Sequence, residues 1–134
     1  MSPDSDRVVL VVEDDVATGQ LVTEAINDEP GYRALHAASP TRALAVLEEL
    51  VPDVLVVDLN LPEISGLDLY HSVRENERTR QVPVIFQTAD GPSHADEMRR
   101  LGVAFYVSKP FDLWELVGYV KRLAPRRPFS PQTH

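Results

Sequence analysis

Val8-Val9-Leu10-Val11-Val12-Glu13-Asp14-Asp15 is an unbroken apolar run that stops on three acids. Continuous valine and leucine, without polar alternation, describe a strand covered on both faces, as in the middle of a parallel sheet. The pattern recurs along the chain. Val54-Leu55-Val56-Val57 ends on Asp58, Val84-Ile85-Phe86-Gln87 ends on Thr88, and Ala104-Phe105-Tyr106-Val107 leads to Lys109-Pro110. Strands of one parallel sheet end on the same edge, so Glu13, Asp14, Asp58, Thr88 and Lys109 can converge there. Clustered carboxylates repel one another unless positive charge lies between them. A divalent cation and the lysine would supply that charge, and such a site suits a phosphoryl group.

Outward from these runs, short β-branched segments alternate with helical periodicity. Strands are predicted over about 7–12, 32–37, 54–58, 83–87 and 104–108. A helix over 16–28 lines up Ala17, Leu21, Val22, Ala25 and Ile26; one over 40–50 lines up Ala43, Leu44, Leu47 and Leu50. Ser39-Pro40 reads as an N-cap followed by proline at the first helical position, and Asp15 and Asp112 read as caps. A third helix starts near Ser65 and carries Leu67, Leu69, Tyr70 and Val73. A short fourth runs from about Ser93 to Leu101 and stops at Gly102. The last, over about 112–124, turns Leu113, Leu116, Val117, Val120 and Leu123 inward before Pro125 and Pro128 forbid continuation.

Five strands alternating with five helices imply an α/β sheet with right-handed crossovers. The hydrophobic pattern does not fix strand order. In the order 2-1-3-4-5, strands one and three would flank the topological switch point, where open α/β sheets bind ligands. Residues 7–124 are expected to form one domain, with 1–6 disordered and 125–134 a mobile tail too short for an effector domain.

Composition removes several function classes. The 134 residues are 43% hydrophobic and 25% charged, as in ordinary globular domains. Without cysteine, disulfides, thiolate metal sites and thiol catalysis are excluded. Apolar runs stay far below the roughly 18 residues of a membrane span, and the first residues lack a signal-peptide layout, so a cytoplasmic location is expected. A formal net charge of −8 disfavours nucleic acid; Arg99-Arg100 and Arg126-Arg127 read as solvated surface pairs.

Glu13, Asp14 and Asp58 offer only oxygen, which suits Mg²⁺, with Mn²⁺ as its substitute, rather than zinc. Asp58 is the best candidate nucleophile, since a carboxylate can accept a phosphoryl group as an acyl phosphate. The Lys109 ammonium and Thr88 hydroxyl would each take a phosphoryl oxygen, and Ala89 is small enough to admit the group. Singly, Thr88 reads as a strand residue and Lys109 as a surface lysine; their value lies in the combination.

The ordered set of Val11-Val12-Glu13-Asp14-Asp15, Val57-Asp58-Leu59-Asn60-Leu61-Pro62 with Gly66, Thr88-Ala89 and Lys109-Pro110-Phe111 resembles the receiver domain of two-component response regulators. It looks most like the single-domain, CheY-like members, whose flavodoxin-like fold has the order 2-1-3-4-5. The resemblance spans about Arg7 to Ala124. It implies that Asp58 is the phosphoacceptor, that Asp14, Asp58 and the Asn60 backbone carbonyl bind Mg²⁺, and that Glu13 binds it through water. It also implies that Thr88 and Lys109 contact the phosphoryl group, that Lys109-Pro110 is cis, and that Tyr106 is the switch aromatic. Asn60 and Asp90 occupy positions that tune hydrolysis.

The implied function is a phosphorylation switch read on the face of helix four, strand five and helix five. Its partners are a sensor histidine kinase or histidine phosphotransfer protein and an unidentified downstream protein. Many DNA-binding relatives carry acids just before the switch aromatic, where this chain has Val103-Ala104-Phe105. A monomer or weak dimer is therefore expected. The chain is read as taking part in its own phosphorylation and dephosphorylation, not as a turnover enzyme. A haloacid-dehalogenase-like phosphatase would need a second aspartate at the place of Asn60. A flavodoxin would need a phosphate-cradling loop where Glu13-Asp14-Asp15 stand. The rivals that survive are a receiver-like interaction module working without phosphorylation, and a receiver fragment of a longer regulator or hybrid kinase.

Overall fold

The computed structural model describes residues 6–89, 91–103, 105–110 and 112–128. Strands β1 (Arg7–Val12), β2 (Tyr32–Ala37), β3 (Val54–Asp58), β4 (Val84–Thr88) and β5 (Phe105–Ser108) form one parallel sheet. Their order is 2-1-3-4-5, the doubly wound flavodoxin-like arrangement. Helices α1 (Val16–Asn27), α2 (Pro40–Glu49), α3 (Gly66–Glu75), α4 (Gly91–Arg100) and α5 (Leu113–Leu123) connect and follow the strands.

Because side chains alternate across a strand, each central strand feeds two cores. Leu10, Val12, Leu55, Val57 and Phe86 pack with Leu47, Leu69, Val73 and Met98 on one face. Val9, Val11, Val54, Val56 and Ile85 pack with Val22, Ile26, Leu116 and Val120 on the other. All five residues of β3 and of β4 are buried, which explains their lack of polar alternation.

The predicted caps form. Asp15 accepts from Thr18 N at 3.0 Å, Ser39 from Arg42 N at 3.2 Å and Asp112 from Trp114 N at 2.8 Å. The Thr18 hydroxyl and amide hydrogen bonds to Asp15 hold its carboxyl below its ordinary value. At α3 the cap is reciprocal: Ser65 accepts from Asp68 N while Asp68 accepts from Ser65 N.

Some boundaries and faces differ from the sequence reading. β4 spans Val84–Thr88 rather than 83–87, and α4 begins at Gly91. Ala17 and Leu21, expected inward, are exposed; α1 instead buries Gly19, Val22 and Ile26. Leu44 also lies at the surface of α2. In both helices the sequence offers an apolar stripe wider than the sheet can cover. Ala104 and Phe111 lie outside the described residues.

At the sheet edge away from the acidic strand ends, Arg7 Nε donates to the Pro125 carbonyl at 2.8 Å, and the Tyr32 hydroxyl to the Ala124 carbonyl at 2.7 Å. Asp53 accepts from Val8 N at 2.8 Å and pairs with Arg7 at 3.3 Å and Arg127 at 3.7 Å. Ala124, the last residue of the expected domain, and Pro125 and Arg127 of the expected tail thus contact the starts of β2 and β1 and the loop before β3. Among the described residues, no helix is long and apolar enough to cross a membrane.

Candidate functional site

Register brings the strand ends level. Val12 lies beside Val57, Asp58 beside Gln87, and Thr88 beside Ser108. Glu13 extends β1 by one residue, its amide donating to the Ala37 carbonyl at 3.1 Å. Glu13, Asp14 and Asp58 each place one carboxylate oxygen within 4.8 Å of the others. Asp14 is exposed at the mouth, whereas Asp58 and Glu13 are buried.

Lys109 supplies the positive charge. Its Nζ donates to Glu13 Oε1 and Asp58 Oδ2, each at 2.9 Å. The lysine is aimed by its own backbone, Lys109 N donating to the Thr88 carbonyl at 2.7 Å. The Lys109-Pro110 bond is cis, as expected. Burial alone would lower the Lys109 pKa, but hydrogen bonds and charge from Glu13 and Asp58 together raise it. Burial pushes Glu13 up to about 7, and the neighbouring Asp58 adds to this against hydrogen bonds from Lys109 and the Asp15 amide. One ammonium facing three carboxylates leaves the cluster short of positive charge. The donor set is all oxygen, so its chemistry fits a hard divalent cation with open coordination positions.

The Asp58 carboxylate is fixed from its own loop: Oδ1 accepts from Asn60 N at 2.9 Å. Behind it, Gly66 N donates to the Leu59 carbonyl at 3.0 Å. A Cβ on Gly66 would lie 2.5 Å from the Asp58 carbonyl oxygen and 2.8 Å from Leu59 Cα. Glycine is needed there because α3 begins against the backbone of the acidic loop.

Thr88 is fully buried at the end of β4, while Ala89 and Asn60 are exposed at the rim. Tyr106 is 37% exposed on β5, so it stands on the surface. Asp90 lies outside the described residues. The strand-end residues singled out from the sequence, Glu13, Asp14, Asp58 and Lys109, are therefore brought together.

Two neighbours were not anticipated. Gln87, fully buried in β4, donates through Nε2 to Glu13 Oε1 at 3.2 Å. A polar residue inside an otherwise apolar strand was a readable signal for it. The His36 ring nitrogen Nε2 lies 2.8 Å from the Glu13 carbonyl oxygen. It occupies the space where a Cβ on Gly19 would fall, 2.1 Å away. No local pattern announces that contact, because it joins β2 to a helix that precedes it.

Comparison with known proteins agrees with this arrangement. A family model described as the response regulator receiver domain matches residues 9–121. The DNA-binding dual master transcriptional regulator RpaA of Synechocystis sp. is 34% identical over 127 residues, covering 92% of this chain and 52% of RpaA. The chain thus spans about half the length of the curated relatives that head its matches. The polar-differentiation response regulator DivK of Brucella ovis is 32% identical over 116 residues, covering 86% of this chain and 94% of DivK. Among solved structures, the response regulator TrrA of Thermotoga maritima, in complex with Mg²⁺ and BeF, superposes with a TM-score of 0.76 at 26% identity. That match covers 87% of this chain and 98% of TrrA. With the strand order, the acidic cluster and its lysine in place, the chain belongs to the response regulator receiver domain family.

Proposed function

We propose that this chain is a phospho-accepting receiver of two-component signalling in which Asp58 takes a phosphoryl group from a histidine kinase or phosphotransfer protein. The observation that carries the reading is the Lys109 ammonium held between Asp58 and Glu13 beside the exposed Asp14. In the transfer, an Asp58 oxygen forms the new P–O bond as the donor's P–N bond breaks, and the departing imidazole nitrogen takes up a proton. Catalysis by the protein amounts to positioning and charge neutralisation. Asn60 N holds one Asp58 oxygen and leaves the carboxylate oriented. Lys109 is placed to follow the charge onto the phosphoryl oxygens, and the Thr88 hydroxyl to donate to one of them.

Asp14, Asp58 and the Asn60 carbonyl would hold Mg²⁺, with Glu13 acting through water. When bound, the ion supplies neutralisation of the carboxylates and the incoming phosphoryl group. The Mg²⁺ of TrrA supports this reading, as does the all-oxygen donor set. The reading is a switch rather than a turnover enzyme, supported by the match to receiver domains.

Output would run through Thr88 and Tyr106. Drawing the buried Thr88 toward a phosphoryl group opens volume behind it, and the exposed Tyr106 can turn into that volume. This alters the surface of α4, β5 and α5, the change that a downstream protein reads. Partner choice would rest on that face and on α1, where the exposed Leu21 lines a shallow cavity with the exposed Trp114 of α5.

The test is incubation with acetyl phosphate and Mg²⁺, followed by intact-mass measurement. One phosphoryl group is expected on the wild-type chain, none without the metal, and none on a folded Asp58→Asn variant. Labelling of Asp58→Asn at the wild-type rate would refute the assignment.

A further inference from the structure

Gln87 carries a polar amide where burial makes polarity costly. β4 is buried at all five positions, and Gln87 is fully buried. Its Oε1 has no hydrogen-bond partner among the described residues. An apolar residue of similar size would avoid that penalty, so the amide must be worth keeping for what its other end does. That end, Nε2, donates to Glu13 Oε1 at 3.2 Å, the same oxygen that Lys109 holds at 2.9 Å. The other Glu13 oxygen accepts from Asp15 N at 3.1 Å. Gln87 also receives Leu59 N on its backbone carbonyl at 3.0 Å, one residue beyond Asp58. A single residue of β4 therefore fastens both the acidic end of β1 and the loop carrying the phosphoacceptor.

We infer that Gln87 is a positioning residue for the cation site: it holds the Glu13 carboxylate in register when Lys109 turns to other negative charge. This deepens the reading of the cluster as a Mg²⁺ site and rests on it. Lys109 is shared between Glu13 and Asp58 and is the mobile member, being a flexible ammonium on a partly exposed side chain. The amide is neutral and enclosed in the strand, so it has no comparable reason to leave. Glu13 consequently keeps one strand-borne donor throughout the cycle, and its carboxylate stays within reach of the Asp14 and Asp58 oxygens, which lie within 4.8 Å of it.

The test uses Gln87→Met, which keeps length and volume but has no side-chain N–H, and Gln87→Leu as a second apolar variant. Mg²⁺ affinity is measured by calorimetry, and melting temperature is measured with and without the ion. Both variants are expected to bind Mg²⁺ roughly tenfold more weakly, the low end for loss of a group that orients a metal ligand. The Mg²⁺-induced rise in Tm should shrink accordingly. A packing role alone would change the Tm of the metal-free chain and leave affinity at the wild-type value, and that result overturns the inference. Failure of the wild-type chain itself to bind Mg²⁺ would instead remove the underlying reading along with it. An Asp14→Ala control, expected to abolish binding, separates site-specific binding from adventitious surface association.

Discussion

Lys109 Nζ sits 2.9 Å from Asp58 Oδ2, an ion pair formed between residues 51 positions apart. The lysine thus occupies part of the charge-neutralising role that a bound cation would share. Replacing it by alanine should act in two directions. Mg²⁺ affinity should rise, by roughly tenfold, because a competing charge within a few ångströms is gone. Phosphorylation of Asp58 should slow, because the group that follows the charge is missing. The metal-free chain should also lose about 2 kcal/mol, less than for a fully buried pair because the lysine is partly exposed. Calorimetric titration and acetyl phosphate kinetics on Lys109→Ala check both directions; weaker Mg²⁺ binding would contradict the picture.

Glu13 gives the chain a pH dependence of definite sign. Its folded pKa, about 7, lies above the ordinary 4.5 because burial disfavours the charged form. The favourable contribution of this group is therefore complete below about 4.5 and is lost as pH rises through about 7. It amounts to about 3 kcal/mol over that window. Metal-free protein should lose melting temperature from this source across the interval. Saturating Mg²⁺, which favours the ionised form, should flatten the slope. Melting curves at successive pH values with and without Mg²⁺ test this, and Glu13→Gln should remove the dependence.

Two glycines should respond oppositely to alanine. At Gly66 the added methyl meets backbone at 2.5 and 2.8 Å, where nothing flexible can yield. A loss of about 2–3 kcal/mol is expected, together with slower phosphorylation, since the displaced atoms belong to Asp58 and Leu59. At Gly118, within α5, nothing outside the helix's own backbone lies within 4 Å of the added atom among the described residues. There the helix should gain about 0.5–1 kcal/mol. Urea unfolding of the two variants side by side gives the comparison.

Glu63 lies in the loop between β3 and α3 with φ of 70°, a conformation that suits glycine. The Thr41 hydroxyl donates to its Oε1 at 2.9 Å, tying the loop to α2. Glu63→Gly should relieve about 1 kcal/mol of backbone strain, with about half of that offset by added freedom of the unfolded chain. A modest rise in urea midpoint is expected. A fall instead would mean that the Thr41 link outweighs the strain.

Much of this site is written in residue order because strand termini are local features. Val8 to Val12 followed by acids, and Val54 to Val57 followed by Asp58, announce both a buried strand and what stands at its end. Parallel pairing then does the long-range work, since every strand delivers its last residue to one edge. The faces of α1 and α2 were harder to read. Ala17, Leu21 and Leu44 satisfy helical spacing as well as the residues that are buried, and only the position of the sheet decides among them. His36 escaped because its importance lies in a contact to Glu13 across 23 positions, for which sequence spacing has no rule; Gln87 stood out as a polar residue in an apolar strand, but its partner 74 positions away did not. The reciprocal cap of Ser65 and Asp68, by contrast, is a four-residue pattern that could have been recognised.

The clasp formed by Arg7, Tyr32 and Asp53 around residues 124–127 has a practical corollary. It lies at the pole opposite the chemistry, about 20 Å away along the six residues of β1. Anchoring the molecule to a sensor surface through a side chain at position 126 or 127 would leave the acidic pole facing solution. Donor proteins and small phosphodonors could then be compared on the same immobilised layer.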